Sequence, residues 1–168
     1  GYQSLYNCST GNSNIAAGYR SLYTNSTGYD NIAIGCSSGR LIYSGYENVL
    51  MGKNAGEDIS SGRYMVCLGS EAGTNITTAW KNVAIGWRAG VSLLAGDSNV
   101  LIGAEAGSSI TNPNDNVCIG RESGSNISIG LNNIVIGTQA TASANNAQNE
   151  ITLGNSSITK FRLTLIHI

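Results

Sequence analysis

The sequence predicts an all-β chain, a β-solenoid or β-roll of nine 17-residue coils packed as a parallel homotrimer, and three observations carry this expectation. A glycine recurs at Gly1, Gly18, Gly35, Gly52, Gly69, Gly86, Gly103, Gly120, Gly137 and Gly154 without a slip. A period this short cannot hold the paired helices of ankyrin or armadillo repeats and suits one coil of stacked β-structure. Each glycine from Gly18 to Gly137 also closes a three-residue apolar run, bounded by turn residues, which is how a short strand reads.

Numbering every repeat from its glycine as position 0 lets each slot be read as a column. Position 14 holds Ile15, Ile32, Val49, Val66, Val83, Val100, Val117, Ile134 and Ile151, and position 16 runs from Ala17 through Ile85 to Leu153 with no polar residue. Both sit on one face of a strand, because side chains alternate with a period of two. Position 15, between them, carries Ala16, Ala33, Leu50, Cys67, Ala84, Leu101, Cys118, Val135 and Thr152. The expectation is that positions 7, 14 and 16 fill the coil, so that Val100→Ala leaves a cavity. Position 15 then supplies a second apolar face for packing against identical chains, which predicts the homotrimer.

The rest of each repeat is turn-like. Position 3 is always Ser or Ala, and position 4 is glycine from Gly39 to Gly124. Position 7 is aliphatic from Ile42 to Ile127, and position 10 is a second glycine in six repeats, replaced by the single proline at Pro113. Two short strands per coil, joined by two turns, are expected. The first two repeats form a sub-type with Leu5 and Leu22 at position 4, and the ninth decays at Thr141, Ala147 and Glu150. Residues 1–154 read as the repeat region and 155–168 as a tail that leaves the repeat. Because the chain starts in repeat register, it is expected to be a fragment of a longer protein.

Composition excludes several classes of partner. Only 11% of residues are charged and the net charge is −1, so no electrostatic footprint for nucleic acid is present. No apolar run approaches the roughly 18 residues of a membrane span, so no membrane insertion is expected. No cofactor is implied. Cys67 and Cys118 share a column three coils apart, about 14 Å at ~4.8 Å per coil, beyond disulfide reach. With Cys8 and Cys36 in unrelated slots, all four read as small buried thiols, and the one histidine, His167, lies in the tail away from any metal-ligand set.

Catalytic chemistry is thin, and no enzyme is expected. The repeats hold no histidine to activate a serine or cysteine. Glu105 and Glu122, at position 2 of adjacent coils, are the one carboxylate pair with glycosidase-like spacing. Their column also contains Gln3, Arg20, Ser37, Asn54, Glu71, Arg88 and Gln139, which is the composition of a solvated face. Position 13 is more regular: Asn14, Asn31, Asn48, Asn82, Asn99, Asn116 and Asn133, interrupted by Met65 and Glu150. Asparagines stacked one coil apart are expected to bond amide to amide as a ladder, the alternative being local turn capping. Position 11 sets Tyr29, Tyr46, Arg63 and Trp80 in one column, an aromatic and arginine stripe suited to contact with a host glycan or to filling between chains.

The repeats GYQSLYNCSTGNSNIAAG and GYRSLYTNSTGYDNIAIG resemble the glycine-, tyrosine- and asparagine-rich repeats of bacteriophage tail fibres. NVAIG, NVLIG and NIVIG are also similar to the head repeats of trimeric autotransporter adhesins, whose period is shorter. NEITLGNSSITKFR resembles the segment that precedes a self-cleaving intramolecular chaperone domain in phage tail proteins, although LTLIHI is no such domain and no cleavage residue carries over. The resemblance implies a homotrimeric tail-fibre shaft on the virion surface that contacts a host glycan or protein receptor. A bacterial cell-surface adhesin head is the first alternative. An ice-binding solenoid is the second, but Tyr43 and Leu94 spoil the flat hydroxyl column that it requires.

Overall fold

The computed structural model describes residues 1–162; LTLIHI at the end of the tail, His167 included, lies outside the described residues. Nine strands follow at one per coil: β1 (Ile15–Ala17), β2 (Ile32–Ile34), β3 (Val49–Met51), β4 (Val66–Leu68), β5 (Val83–Ile85), β6 (Val100–Ile102), β7 (Val117–Ile119), β8 (Ile134–Ile136) and β9 (Ile151–Leu153). They form one parallel sheet in chain order, with every residue paired to its equivalent 17 positions on, as Val100 is to Val117. The Val100 amide donates to the Asn116 carbonyl at 2.8 Å, and the Gly103 amide donates to Ile85 at 2.7 Å. The protein is a parallel β-solenoid.

The glycine at position 0 is where one coil meets the next. Gly103 has φ +132°, and a Cβ built there would lie 2.5 Å from the Gly120 carbonyl oxygen. Any side chain would push consecutive coils apart. The period is therefore enforced by backbone contact.

Only one strand forms per coil, not the expected two. Among the described residues the opposite wall has no named strand, and its β-pairing consists of the parallel bridges from Tyr46 to Arg63 and from Arg63 to Trp80. The reason is backbone curvature: Gln3, Leu5, Arg20 and Leu22 have φ of 49–56°, and positions 2 and 4 of the following coils to Gly124 are likewise left-handed. Such residues curl the chain into turns. These turns still stack coil on coil, as the Gly107 amide donates to Ser123 at 2.8 Å and the Gly90 amide to Ala106 at 2.9 Å.

The inside and outside of the strand are also the reverse of the expectation. Position 15 points inward: Ala33, Leu50, Cys67, Ala84, Leu101, Cys118 and Val135 are fully buried, together with the position 7 aliphatics and the small residues of position 3. Positions 14 and 16 point outward, so Val100 and Ile102 flank a buried Leu101 from the solvent side. Volume explains the choice. The coil is so narrow that a Cβ on Gly107 (φ +58°) would lie 2.6 Å from Leu101 Cδ2, and one on Gly56 would lie 2.8 Å from Leu50 Cδ2. Glycine at position 4 makes room for the side chain at position 15. In the first coils the exchange runs the other way: Leu22 is buried from position 4, and position 7 becomes Asn25.

The cavity expected at Val100 therefore belongs one residue later. Leu101→Ala removes a fully buried side chain from between two glycines that cannot close the gap, and is expected to cost about 3 kcal/mol. Urea unfolding followed by far-UV circular dichroism measures it, and an unchanged midpoint would disprove the inward placement.

Candidate functional site

The most ordered set of polar side chains is the asparagine column just before each strand. Asn31, Asn48, Asn82, Asn99, Asn116 and Asn133 are fully buried. Asn99 Oδ1 accepts from the Asn116 backbone amide at 3.0 Å and from Asn116 Nδ2 at 3.2 Å, while Asn99 Nδ2 donates to Asn82 Oδ1 at 3.0 Å and to the Pro113 carbonyl at 2.9 Å. Asn14 opens the series by accepting from Asn31 Nδ2 at 3.1 Å. Each amide thus bonds along the axis and also holds the position 10 carbonyl of the next coil, so ladder and turn capping occur in one side chain.

The two breaks in the column are handled differently. At Met65 the chain keeps only its backbone donor, which reaches Asn48 Oδ1 at 3.0 Å, and the thioether lies 3.9 Å from Asn82 Nδ2. At Glu150 the series stops. Its carboxylate accepts from the Ser143 hydroxyl and amide and from the Thr152 hydroxyl, and these bonds, Ser143 first, hold its pKa below the usual carboxylate value.

The aromatic column at position 11 is a stack. Tyr29 and Tyr46 lie parallel with centroids 4.8 Å apart; Arg63 Cζ sits 5.6 Å from the Tyr46 centroid and 4.4 Å from that of Trp80. The Tyr29 and Tyr46 ring faces are turned to one another, the Arg63 guanidinium lies between Tyr46 and Trp80, and Tyr64 stands edge-on to Tyr46 at 5.5 Å. Beyond Trp80, which is 39% exposed, the column is polar for two coils before Leu131: the Trp80 amide donates to Asp97 Oδ1, and the Asp97 amide to Asn114 Oδ1. Two further stacks, Tyr2 on Tyr19 and Tyr6 on Tyr23, were not singled out in the sequence, although the same 17-residue spacing marks them.

Glu105 and Glu122 lie at the opposite corner. Arg88 Nε is 3.8 Å from Glu105 Oε1 and its Nη1 is 4.0 Å from Glu71 Oε2, while Glu122 pairs with Arg121 and accepts from Gln139 Nε2 at 2.8 Å. These are part-exposed surface ion pairs. Among the described residues there is no pocket, no metal-binding cluster, and no helix long and apolar enough to cross a membrane. All four cysteines are free, but Cys8 and Cys36 are exposed, contrary to the expectation of four buried thiols. Cys36 sits at the outer position 1, and Cys8, although in the position 7 column, belongs to the end coil of the stack, whereas Cys67 and Cys118 occupy the inward column, where burial pushes each thiol up to about 12.

The site feature that sequence reasoning assigned to the wrong face is the outward side of the sheet. Its two apolar columns run along all nine strands, half-buried on β4–β7 and more open at the ends of the stack, where Ile15 is 55% and Ile151 67% exposed. The signal was present in the β-branched uniformity of position 14. Comparison with protein-family models, with characterised proteins and with solved structures returns no match.

Asn99→Ala leaves the buried Asn116 backbone N–H and the Pro113 carbonyl without their side-chain partner, while Asn116 Nδ2 keeps the Asn114 and Gly130 carbonyls, and is expected to cost about 2 to 4 kcal/mol. Chemical denaturation measures this, and a loss no larger than that of an exposed Asn12→Ala control would mean that the ladder contributes nothing.

Proposed function

We propose that this chain is a structural shaft segment of an extracellular fibre, of the kind phage tail fibres use for host attachment, and that it works as a homotrimer. The observation that carries this reading is the continuous outward aliphatic face. An apolar strip along nine coils is a surface that solitary soluble chains do not usually leave open. Stacked, hydrogen-bonded coils supply reach and stiffness, and several chains side by side supply multivalent display. A bacterial surface adhesin head uses the same physics. The ice-binding alternative gains no support, because Ser9, Ser60 and Thr77 turn their hydroxyls onto backbone carbonyls of the next coil.

Light scattering on the purified chain at micromolar concentration tests the reading. The expected mass is that of three chains, and a monodisperse single chain would sink it.

Host contact is proposed at the corner formed by Tyr29, Tyr46, Arg63 and Trp80. The chemistry on offer is hydroxyl and guanidinium hydrogen bonding beside one part-exposed indole, which suits a glycan. On a glycan array, Trp80→Ala is expected to lose at least tenfold in binding while keeping the wild-type mass. Equal binding by both proteins would remove the corner from consideration.

A further inference from the structure

We propose that the tyrosine cluster of the first two coils is a second binding site, one that takes the carboxylate of an acidic sugar on the Arg20 guanidinium. This goes beyond the shaft reading and does not depend on it. Tyr2 stacks on Tyr19 with centroids 5.7 Å apart, and Tyr6 stacks on Tyr23 at 5.4 Å. Arg20 Cζ lies 5.1 Å from the Tyr19 centroid and 5.5 Å from that of Tyr23, so the guanidinium stands against one ring of each stack. Its Nε donates to Gln3 Oε1 at 2.9 Å, which orients the group and leaves both Nη nitrogens to fork onto a carboxylate.

Arg20 has no acidic partner among the described residues, where the ion pairs engage Arg40, Arg88 and Arg121. Arg88 is the informative comparison. It occupies the same position 2 and lies 5.4 Å from the position 1 ring of Trp87, as Arg20 lies against Tyr19. Its neighbours in the column are Glu71 and Glu105, whose carboxylates stand 4.0 and 3.8 Å from its guanidinium nitrogens. The 17-residue period puts Gln3 and Ser37 in those two places around Arg20. Asp30 is the sole acidic residue before Glu47, and it belongs to position 12, at the opposite corner of the coil. Arg20 is thus a half-buried cation, in a slot that brings carboxylates to its equivalent elsewhere in the same chain, and its charge is complementary to an external one.

The rings select a sugar as the carrier of that carboxylate. Positions 1 and 5 are both tyrosine in the first two coils and in no later one. The interior exchange in these coils, with Leu22 at position 4 and Asn25 at position 7, does not reach these outward positions. Tyr19 has a coil on either side and is still 44% exposed, so the cluster opens laterally as well as at the end of the stack. Tyrosine offers a sugar ring both apolar surface and a hydrogen-bonding hydroxyl, and four of them surround the cation.

An array of oligosaccharides that end in uronic or sialic acids, each printed beside its carboxyl-reduced neutral counterpart, tests this on the full 168-residue chain. The wild type is expected to bind the acidic members about tenfold more tightly than the reduced ones. Arg20→Gln is expected to remove that preference with unchanged far-UV circular dichroism, whereas Arg88→Gln keeps it. Ser37→Glu gives Arg20 the neighbour that Glu105 is to Arg88, in a slot with the same left-handed backbone (φ 56° and 57°), and is expected to block binding with the arginine still in place. Equal binding of acidic and reduced members would overturn the proposal, as would a preference that survives Arg20→Gln or Ser37→Glu, or one that Trp80→Ala removes instead. Equally tight capture of a poly-glutamate peptide would also overturn it, in favour of a protein partner. Should Arg20→Gln fail to fold, Ser37→Glu decides.

Discussion

Direct backbone contact between consecutive coils is the constraint from which the rest follows. With Gly103 against Gly120 and the same contact at Gly86 and Gly69, no side chain fits at position 0. Each coil must therefore return to the same place after 17 residues. Equivalent residues then stack at strand spacing, and every column becomes a ladder of like upon like. Buried asparagines satisfy one another because the next asparagine is always at hydrogen-bond distance, and Tyr29 stacks on Tyr46 for the same geometrical reason.

Much of this was legible in the sequence, because a strict period projects directly onto a stack. The position of each strand, the parallel order and the asparagine column can all be read from residues 17 apart. Which face of the strand points inward was not legible from alternation. When both parities are apolar, a period of two separates the faces without saying which one is inside. The column that looked most core-like, Val49 to Val117, lies outside, and the one that varies between Ala, Cys and Leu lies inside. Size variation inside a narrow coil is packing: Leu50 and Leu101 reach over position 4 glycines in two coils each, and their small neighbours leave that space free.

A compensating pair in the first coils carries the sign that alternation lacks. Where position 4 is leucine, position 7 is Cys8 or Asn25; where position 4 is glycine, position 7 is aliphatic from Ile42 to Ile127. Two columns that exchange volume share one space, so both positions face the interior, and Leu22 is fully buried accordingly. The sub-type is a repacked version of the same coil. The turns opposite the strand were illegible for a different reason: left-handed backbone at Gln3, Arg20, Glu71 and Glu105 is a conformation that those residue types do not advertise.

The same constraint determines where function can be written. Columns 0, 3, 4, 7, 13 and 15 are committed to stacking and filling, and a change in any of them is felt by the coils above and below. Columns 1, 2, 11 and 12 touch solvent and vary freely between tyrosine, arginine, glutamate, lysine and serine. Positions 14 and 16 belong to neither group: they are outside the coil, yet apolar in all nine repeats, Ile or Val throughout at 14 and Ile, Leu, Met or Ala at 16. Side chains that face water without need of packing drift toward polar residues, so a restriction this tight on an outward face marks pressure from something outside the coil. The proposed packing of a second chain on that face would supply such pressure, and it would leave the corner columns, Trp80 and Arg63 among them, open for the proposed host contact.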